Sequence, residues 1–305
     1  MLLLCLVLDL HQAGSRFAGS LNMSESPEEL AARYNGSTNP ELTQIYIGCR
    51  AQLRSVIDRA VRASRGAHSI LSTENRMAWG AVLFTRLAVT AKSIEKLLPF
   101  PRRGEHWDFS AVASITRNLL EASLVYHWLC GVGVPEEQRE ARFILLYLHD
   151  HGSRRRLFPD QIIDPDPVHD DLVRRFDANA FLAAFDQRKR AVALKGEKTP
   201  FLQDDVIAEM GGDAEPFRFI YRFFSQHTHS GPVAFFRMHE HCRGTGVETR
   251  LEKIFMLTAI SAAAQVLEQA IETHLTIFPD AETRSPHFTW QQIEANVERE
   301  QGRRR

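Results

Sequence analysis

"VETRLEKIFMLTAISAAAQVLEQAIETHLTIF", residues 247–278, is the stretch that decides the fold class. Its apolar residues continue without a strand-like alternation of polar and apolar positions, and their number far exceeds that of a buried strand. The segment predicts a single helix of more than 30 residues.

Four more helical segments precede this one, and strand signals are nearly absent. Apolar residues recur at spacings of three and four over residues 40–64, 73–98, 109–131 and 135–158. Proline or glycine marks the ends of these segments, at Pro40, Pro99, Gly131 and Pro135. No repeat with a period of 20–50 residues occurs, so a solenoid is not expected.

In the middle of the chain, from about residue 158 to 213, the helical pattern is interrupted more often. "PDQIIDPDPVHDD", "KGEKTP" and "GGD" interrupt it and leave room for two or three short helices. Because long apolar helices lie on both sides, the sequence predicts an all-α protein: one helical bundle with a smaller irregular helical insertion in the middle.

The bundle is expected to be a single domain over residues 23–290. Ser26, Pro27 and Glu29 form a good helix start shortly after Met23, so residues 1–22 read as a disordered extension or a misassigned start. A cleaved signal peptide is the alternative for this apolar opening. Residues 291–305 read as a frayed charged tail.

Composition narrows the classes of function. The 37 basic and 38 acidic residues nearly cancel, which gives no sign of a nucleic-acid coat or a membrane-surface protein. Cys5, Cys49, Cys130 and Cys242 form no C-x-x-C pair. Three of them fall in apolar surroundings and are interpreted as reduced core residues of a cytoplasmic protein. Nucleotide-binding, zinc-protease and hydrolase motifs are missing from the sequence, so no cofactor is expected.

Histidine pairs raise the possibility of a metal site. His149/His151 and His227/His229 fall in predicted helices, where residues two apart point in different directions. A third group, His239, His241 and Cys242, lies in a segment that could be extended and is the one plausible set of metal ligands. A metal-dependent enzyme therefore stays open as an alternative.

The segment "YRFFSQHTHSGP", residues 221–232, places polar groups at the end of an aromatic-rich helix. At 100° per residue, Arg218, Arg222, Ser225 and His229 share one face, whereas His227 falls among the apolar side chains. Phe217, Ile220, Tyr221 and Phe224 form the apolar stripe. The polar face is either an ordinary solvent face or one that lines a cleft.

A charged pair on another helix favours the interpretation that the polar face lines a cleft. Arg117 and Glu121 are four residues apart in the otherwise apolar "SITRNLLEASLVYHWL". Burial of such a pair requires polar partners from another helix, and the face with Ser225 and His229 can supply them. A third helix offers Arg142 and His149, seven residues apart.

Arginine followed by histidine after four to six residues is the signature of the HEPN superfamily. "RFFSQHTH" resembles it twice, from Arg222 to His227 and from Arg222 to His229. The pair "RNLLEA" and "YRFFSQHTHS", within residues 75–275, is also similar to an uncharacterised bacterial helical family loosely related to that group.

The resemblance implies a helical bundle and a metal-independent endoribonuclease of bacterial defence or stress response. It implies Arg222 and His229 as catalytic residues, with Arg117, Glu121 and Ser225 in support. RNA, a protein partner or antitoxin, and a second copy in a homodimer are the partners it implies, with no membrane. A non-catalytic helical interaction module that uses the same polar cleft is the alternative.

Overall fold

The computed structural model describes residues 39–67, 74–101, 103–161, 166–229, 231–235 and 246–284. It confirms the all-α fold class, because the described residues form helices and no β-strand. Their one β-type contact is an isolated bridge in which the Trp107 N–H donates to the Gly246 carbonyl at 3.1 Å.

The helices follow one another along the chain with short connections. They are α1 (Asn39–Ala67), α2 (Asn75–Leu97), α3 (Phe109–Cys130), α4 (Glu136–Leu157), α5 (Pro167–Ala178), α6 (Ala180–Ala183), α7 (Gln187–Lys195), α8 (Gln203–Glu209), α9 (Ala214–Thr228), α10 (Pro232–Phe235) and α11 (Arg250–Ile277), with a 3-10 turn at Pro159–Gln161.

Helix α11 lies at the centre of the bundle and packs against α1, α2 and α3. It is 28 residues long and has a window of mean hydropathy 1.5, enough by length and composition to cross a membrane, but 83% of that window is buried inside the bundle. Burial on several sides accounts for an apolar composition that continues around the helix. Within this core, the ring of His274 stacks on Phe84 at 3.8 Å.

Capping side chains set the ends of the helices that carry the candidate site. Asp108 accepts a hydrogen bond from the Ala111 N–H at the start of α3, and Asp213 accepts one from the Glu215 N–H at the start of α9. On its apolar side, α9 buries Ile220, Phe223 and Phe224. The rings of Phe223 and Phe224 meet Phe109 of α3, which fixes α9 alongside α3.

The middle of the chain divides between two cores. Helices α5 and α6 pack on α4 around a small separate core made of Ala141, Ile144, Leu148, Leu172, Phe176 and Leu182. Helix α8, in contrast, contributes Val206 and Ile207 to the main core. The part of residues 158–213 that packs apart from the bundle is therefore α5–α7.

Helices α4 and α7 meet through two glycines. A Cβ on Gly152 of α4 would lie 2.6 Å from the Lys195 carbonyl oxygen, and a Cβ on Gly196 would lie 2.0 Å from the Leu148 carbonyl oxygen. Gly196 also ends α7 with a positive φ of 62°, which glycine adopts without strain. Glycine is therefore required at both positions for the backbones to approach this closely.

Cys49 and Cys130 are buried free thiols, and burial raises the pKa of Cys49 to about 11 and of Cys130 to about 12. Both thiols are therefore protonated and unreactive at neutral pH. The expected extension 1–22, the tail 291–305, and Cys5 and Cys242 lie outside the described residues.

Candidate functional site

The candidate site lies where α3 and α9 run alongside each other. Arg117 and Glu121 project from α3, and Tyr221 and Ser225 project from α9. Each pair is four residues apart, so both members lie on one helix face. The two polar faces meet, and we refer to these four residues as the Arg117 cluster.

Hydrogen bonds close the Arg117 cluster on itself. Arg117 donates from Nε to Ser225 Oγ at 2.9 Å and from Nη2 to Tyr221 Oη at 2.6 Å, and Nη2 pairs with Glu121 Oε1 at 2.9 Å. Tyr221 Oη donates to Glu121 Oε1 at 2.5 Å, and Ser225 Oγ donates to the Tyr221 carbonyl at 2.7 Å. Each of the four side chains thus has at least two partners.

The cluster is only partly shielded from water. The Arg117 side chain is 20% exposed and that of Glu121 is 42% exposed. Burial raises the pKa of Tyr221 above its ordinary value, and the hydrogen bond to Glu121 raises it further, while Arg117 opposes the rise. The phenol therefore keeps its proton at neutral pH and stays a donor to Glu121.

Arg222 and His229 lie beside this cluster on the outer face of α9. Both are exposed, and their side chains have no hydrogen bond or ion pair within the described part of the chain. His229 ends the helix, with its backbone N–H bonded to the Ser225 carbonyl at 3.0 Å. The two are seven positions apart in the sequence, which is about 10 Å along the helix axis.

Arg218 belongs to the same face but is engaged. Its Nε lies 3.5 Å from Asp204 Oδ1 and 3.3 Å from the Ala214 carbonyl oxygen. Of the three basic side chains expected on this face, Arg222 and His229 are thus the two that can meet a bound molecule without first breaking an interaction within the described residues.

His227 lies in the core, as the helical geometry predicts. It is 5% exposed, and its ring meets Phe109 at 4.7 Å and Phe223 at 5.0 Å, edge to face. Arg222 and His227 therefore point to opposite sides of α9. Of the two arginine–histidine spacings in this segment, the one from Arg222 to His229 places both groups on one face.

Arg142 and His149, the pair expected from a third helix, do not join the site. Arg142 of α4 is buried and donates to the Trp128 carbonyl and to Glu209 Oε1, each at 2.6 Å. His149 Nδ1 lies 2.9 Å from the Gly196 carbonyl oxygen. The two residues have separate structural roles because Arg142 caps the end of α3, whereas His149 holds α7 against α4.

The expected metal ligands His239, His241 and Cys242 lie outside the described residues. Among the residues that the structure does describe, no group of three or more histidine, cysteine, aspartate or glutamate side chains is arranged to hold a metal ion. His149 and His151 have different partners, since His151 Nε2 bonds to Asp166 Oδ2 at 2.7 Å.

Sequence reasoning missed one member of the cluster, Tyr221. Its position among the aromatic residues of α9 placed it in the apolar stripe. The ring does pack on apolar neighbours, stacking on Phe217 at 6.1 Å between centroids, but its hydroxyl reaches Arg117 and Glu121. The sequence did contain an indication: Tyr221 is four residues before Ser225, so the two side chains can lie on the same face of the helix.

The model of a family of unknown function (DUF5677) matches residues 77–246. The chain belongs to this family. The DUF5677 match includes both helices of the Arg117 cluster and ends at Gly246, the residue that pairs with Trp107. No curated protein and no solved structure matches the chain.

Proposed function

We propose that this protein is a metal-independent endoribonuclease of the HEPN type, acting in bacterial defence or stress response, with Arg222 and His229 as its catalytic residues. The observation that carries the proposal is that the polar side chains of α9 differ in their hydrogen bonding. Arg222 and His229 are exposed without a side-chain partner among the described residues, next to an Arg117 cluster whose groups are engaged with one another.

The proposed reaction is cleavage of a phosphodiester by the neighbouring 2′-hydroxyl. The 2′ oxygen attacks phosphorus, the bond to the 5′ oxygen breaks, and the products are a 2′,3′-cyclic phosphate and a free 5′-hydroxyl. Arg222 stabilises the charge that builds up on the phosphoryl oxygens. His229 removes the proton from the 2′-hydroxyl or supplies one to the leaving 5′ oxygen.

The Arg117 cluster has a positioning role in this proposal. It ties Tyr221 and Ser225 to α3, on either side of Arg222 in the sequence. The backbone that carries Arg222 and His229 is thereby held, while the two side chains stay free to move. Arg117 itself is not proposed to contact RNA, because its Nε and Nη2 donors are already engaged by Ser225, Tyr221 and Glu121.

A homodimer would complete the chemistry. The reaction needs two proton transfers, one at each oxygen, and one His229 performs one of them. A second copy that brings its own α9 to the same substrate supplies the other histidine. The expected homodimer is therefore part of the proposal and not a separate one.

The test is cleavage of single-stranded RNA by the purified protein in the presence of EDTA. We expect Arg222→Ala and His229→Ala to abolish cleavage and to leave the melting temperature nearly unchanged, since both side chains are exposed. Arg188→Ala, an exposed arginine on α7, is the matched control and should cleave like the wild type. Wild-type protein that cleaves no RNA would refute the nuclease proposal.

A non-catalytic interaction module is the second candidate, and the exposure of Arg222 and His229 favours it. Neither side chain is held in place by a hydrogen bond in the described residues, as expected of groups that a partner orders on binding. This interpretation predicts binding of an acidic protein or a small ligand, without cleavage of RNA. Arg222→Ala should then weaken binding while the products of an RNA digest stay absent.

A further inference from the structure

A polar cleft lies at the C-terminal end of α3, where His127 is ten positions beyond Arg117 in the sequence. It has a volume of about 250 Å³ and is bounded by the C-terminal ends of α3 and α8 and by the last turns of α11. Its polar wall consists of His127, Glu209, Gln269, Glu272 and Thr273. We call it the His127 cleft.

His127 is the most buried polar group of this wall. The residue is 6% exposed, and burial lowers the pKa of its imidazole to about 4, so the ring is neutral at physiological pH. Its Nδ1 lies 3.3 Å from Thr273 Oγ1, whereas its Nε2 has no hydrogen-bond partner among the described residues. A buried polar atom without a partner is destabilising, and a ligand that bonds to it removes that penalty.

Two carboxylates line the cleft: that of Glu209 is paired with Arg142, so the uncompensated negative charge comes from Glu272. Buried Arg142 donates to Glu209 Oε1 at 2.6 Å and so holds that carboxylate at the wall. Glu272 is exposed and has no side-chain partner in the described part of the chain.

The remaining wall is apolar. Val132, Val134, Val206 and Met210 form it. A site with acceptors at one side and aliphatic side chains at the other fits a ligand with a charged donor group and a short carbon chain.

We propose that the His127 cleft binds a small primary amine in its protonated form. The ammonium group donates hydrogen bonds to Glu209, Glu272 and Nε2 of His127, and its carbon chain lies against Val206 and Met210. In this arrangement Nδ1 of His127 carries the ring hydrogen and donates it to Thr273, which leaves Nε2 as an acceptor. The site is separate from α9 and does not depend on RNA cleavage.

The test is calorimetric titration of the full-length protein with three small ions. Butylammonium carries the charge, the N–H donors and the carbon chain. Tetramethylammonium carries the charge without a donor, and butyrate carries the opposite charge. We expect binding of butylammonium and none of the other two. A shift of the His127 Nε2 resonance in a 15N spectrum should accompany it.

Two variants and one control locate the site. Glu272→Gln should weaken butylammonium binding about tenfold, the loss expected for one charge-assisted hydrogen bond, with no effect on folding because the side chain is exposed. Asp280→Asn removes a carboxylate just beyond the same end of α11 and should bind like the wild type. His127→Phe should abolish the interaction, and Glu272→Gln decides the matter if that variant fails to fold.

Three outcomes would overturn the proposal. The first is that the wild-type protein does not bind butylammonium. The second is equal affinity for tetramethylammonium, which would mean that no directed hydrogen bond is made. The third is unchanged affinity in Glu272→Gln, which would place the binding elsewhere on the protein.

Discussion

At the scale of the residue, Tyr221 shows how one side chain can serve both the core and a polar site. Its ring packs on Phe217, while its hydroxyl accepts from Arg117 and donates to Glu121. An arginine and a glutamate on one helix are thereby linked through a phenol on another. This link is what allows Arg117 to be mostly buried without a large desolvation cost.

Removing that hydroxyl should therefore destabilise the folded protein. We expect Tyr221→Phe to lower the free energy of unfolding by about 1–2 kcal/mol, because Arg117 and Glu121 each lose a partner. Urea unfolding of Tyr221→Phe, Glu121→Gln and the double variant measures the coupling between the two residues. Strictly additive losses would contradict the hydrogen bond between them.

At the scale of the element, the contact between α4 and α7 depends on the absence of side chains. Gly152 and Gly196 let the two backbones approach, and His149 then bonds to the Gly196 carbonyl oxygen. The unit formed by α5–α7 has few other ties to the bundle. Its small core is shared with α4 alone.

A methyl group at this contact should loosen the unit. We expect Gly152→Ala to destabilise the protein by about 1–3 kcal/mol, since its Cβ would overlap the Lys195 carbonyl oxygen. Hydrogen exchange should speed up in α5–α7 and stay slow in α1, α3 and α11. Gly48→Ala is the control: nothing lies within 4 Å of its Cβ, so this exposed helical position should become more stable.

At the scale of the whole molecule, His127 makes stability depend on pH. Its pKa is about 4 in the folded protein against 6.5 for the free side chain. Between these values the unfolded chain binds a proton that folded His127 does not. The free energy of unfolding therefore falls as the pH falls through this window, by up to about 3 kcal/mol for this group.

Urea unfolding at pH 7, 5.5 and 4.5 measures this effect. The loss of stability toward acid should be smaller in His127→Phe than in the wild type, because phenylalanine has no proton to bind. Parallel pH profiles for the two proteins would show that the buried imidazole does not carry the dependence.

Periodicity and helix-breaking residues predicted the long helices to within a few residues. The last helix begins at Arg250 and not at residue 247, because the Thr249 side chain accepts from the Glu252 N–H and caps it there. Within the site, helical geometry separated His227 from His229. It did not find Tyr221 or the role of Arg142, since both depend on atoms of other helices that periodicity does not locate.

The central position of α11 has a consequence for synthesis. Every other described helix leaves the ribosome before α11, yet α1, α2 and α3 bury their apolar faces against it. The nascent chain must therefore wait, with its hydrophobic surface uncovered, until residue 277 has been added and has emerged. Such a delay favours chaperone binding during translation, and a chain that stops before α11 should aggregate instead of forming a smaller bundle.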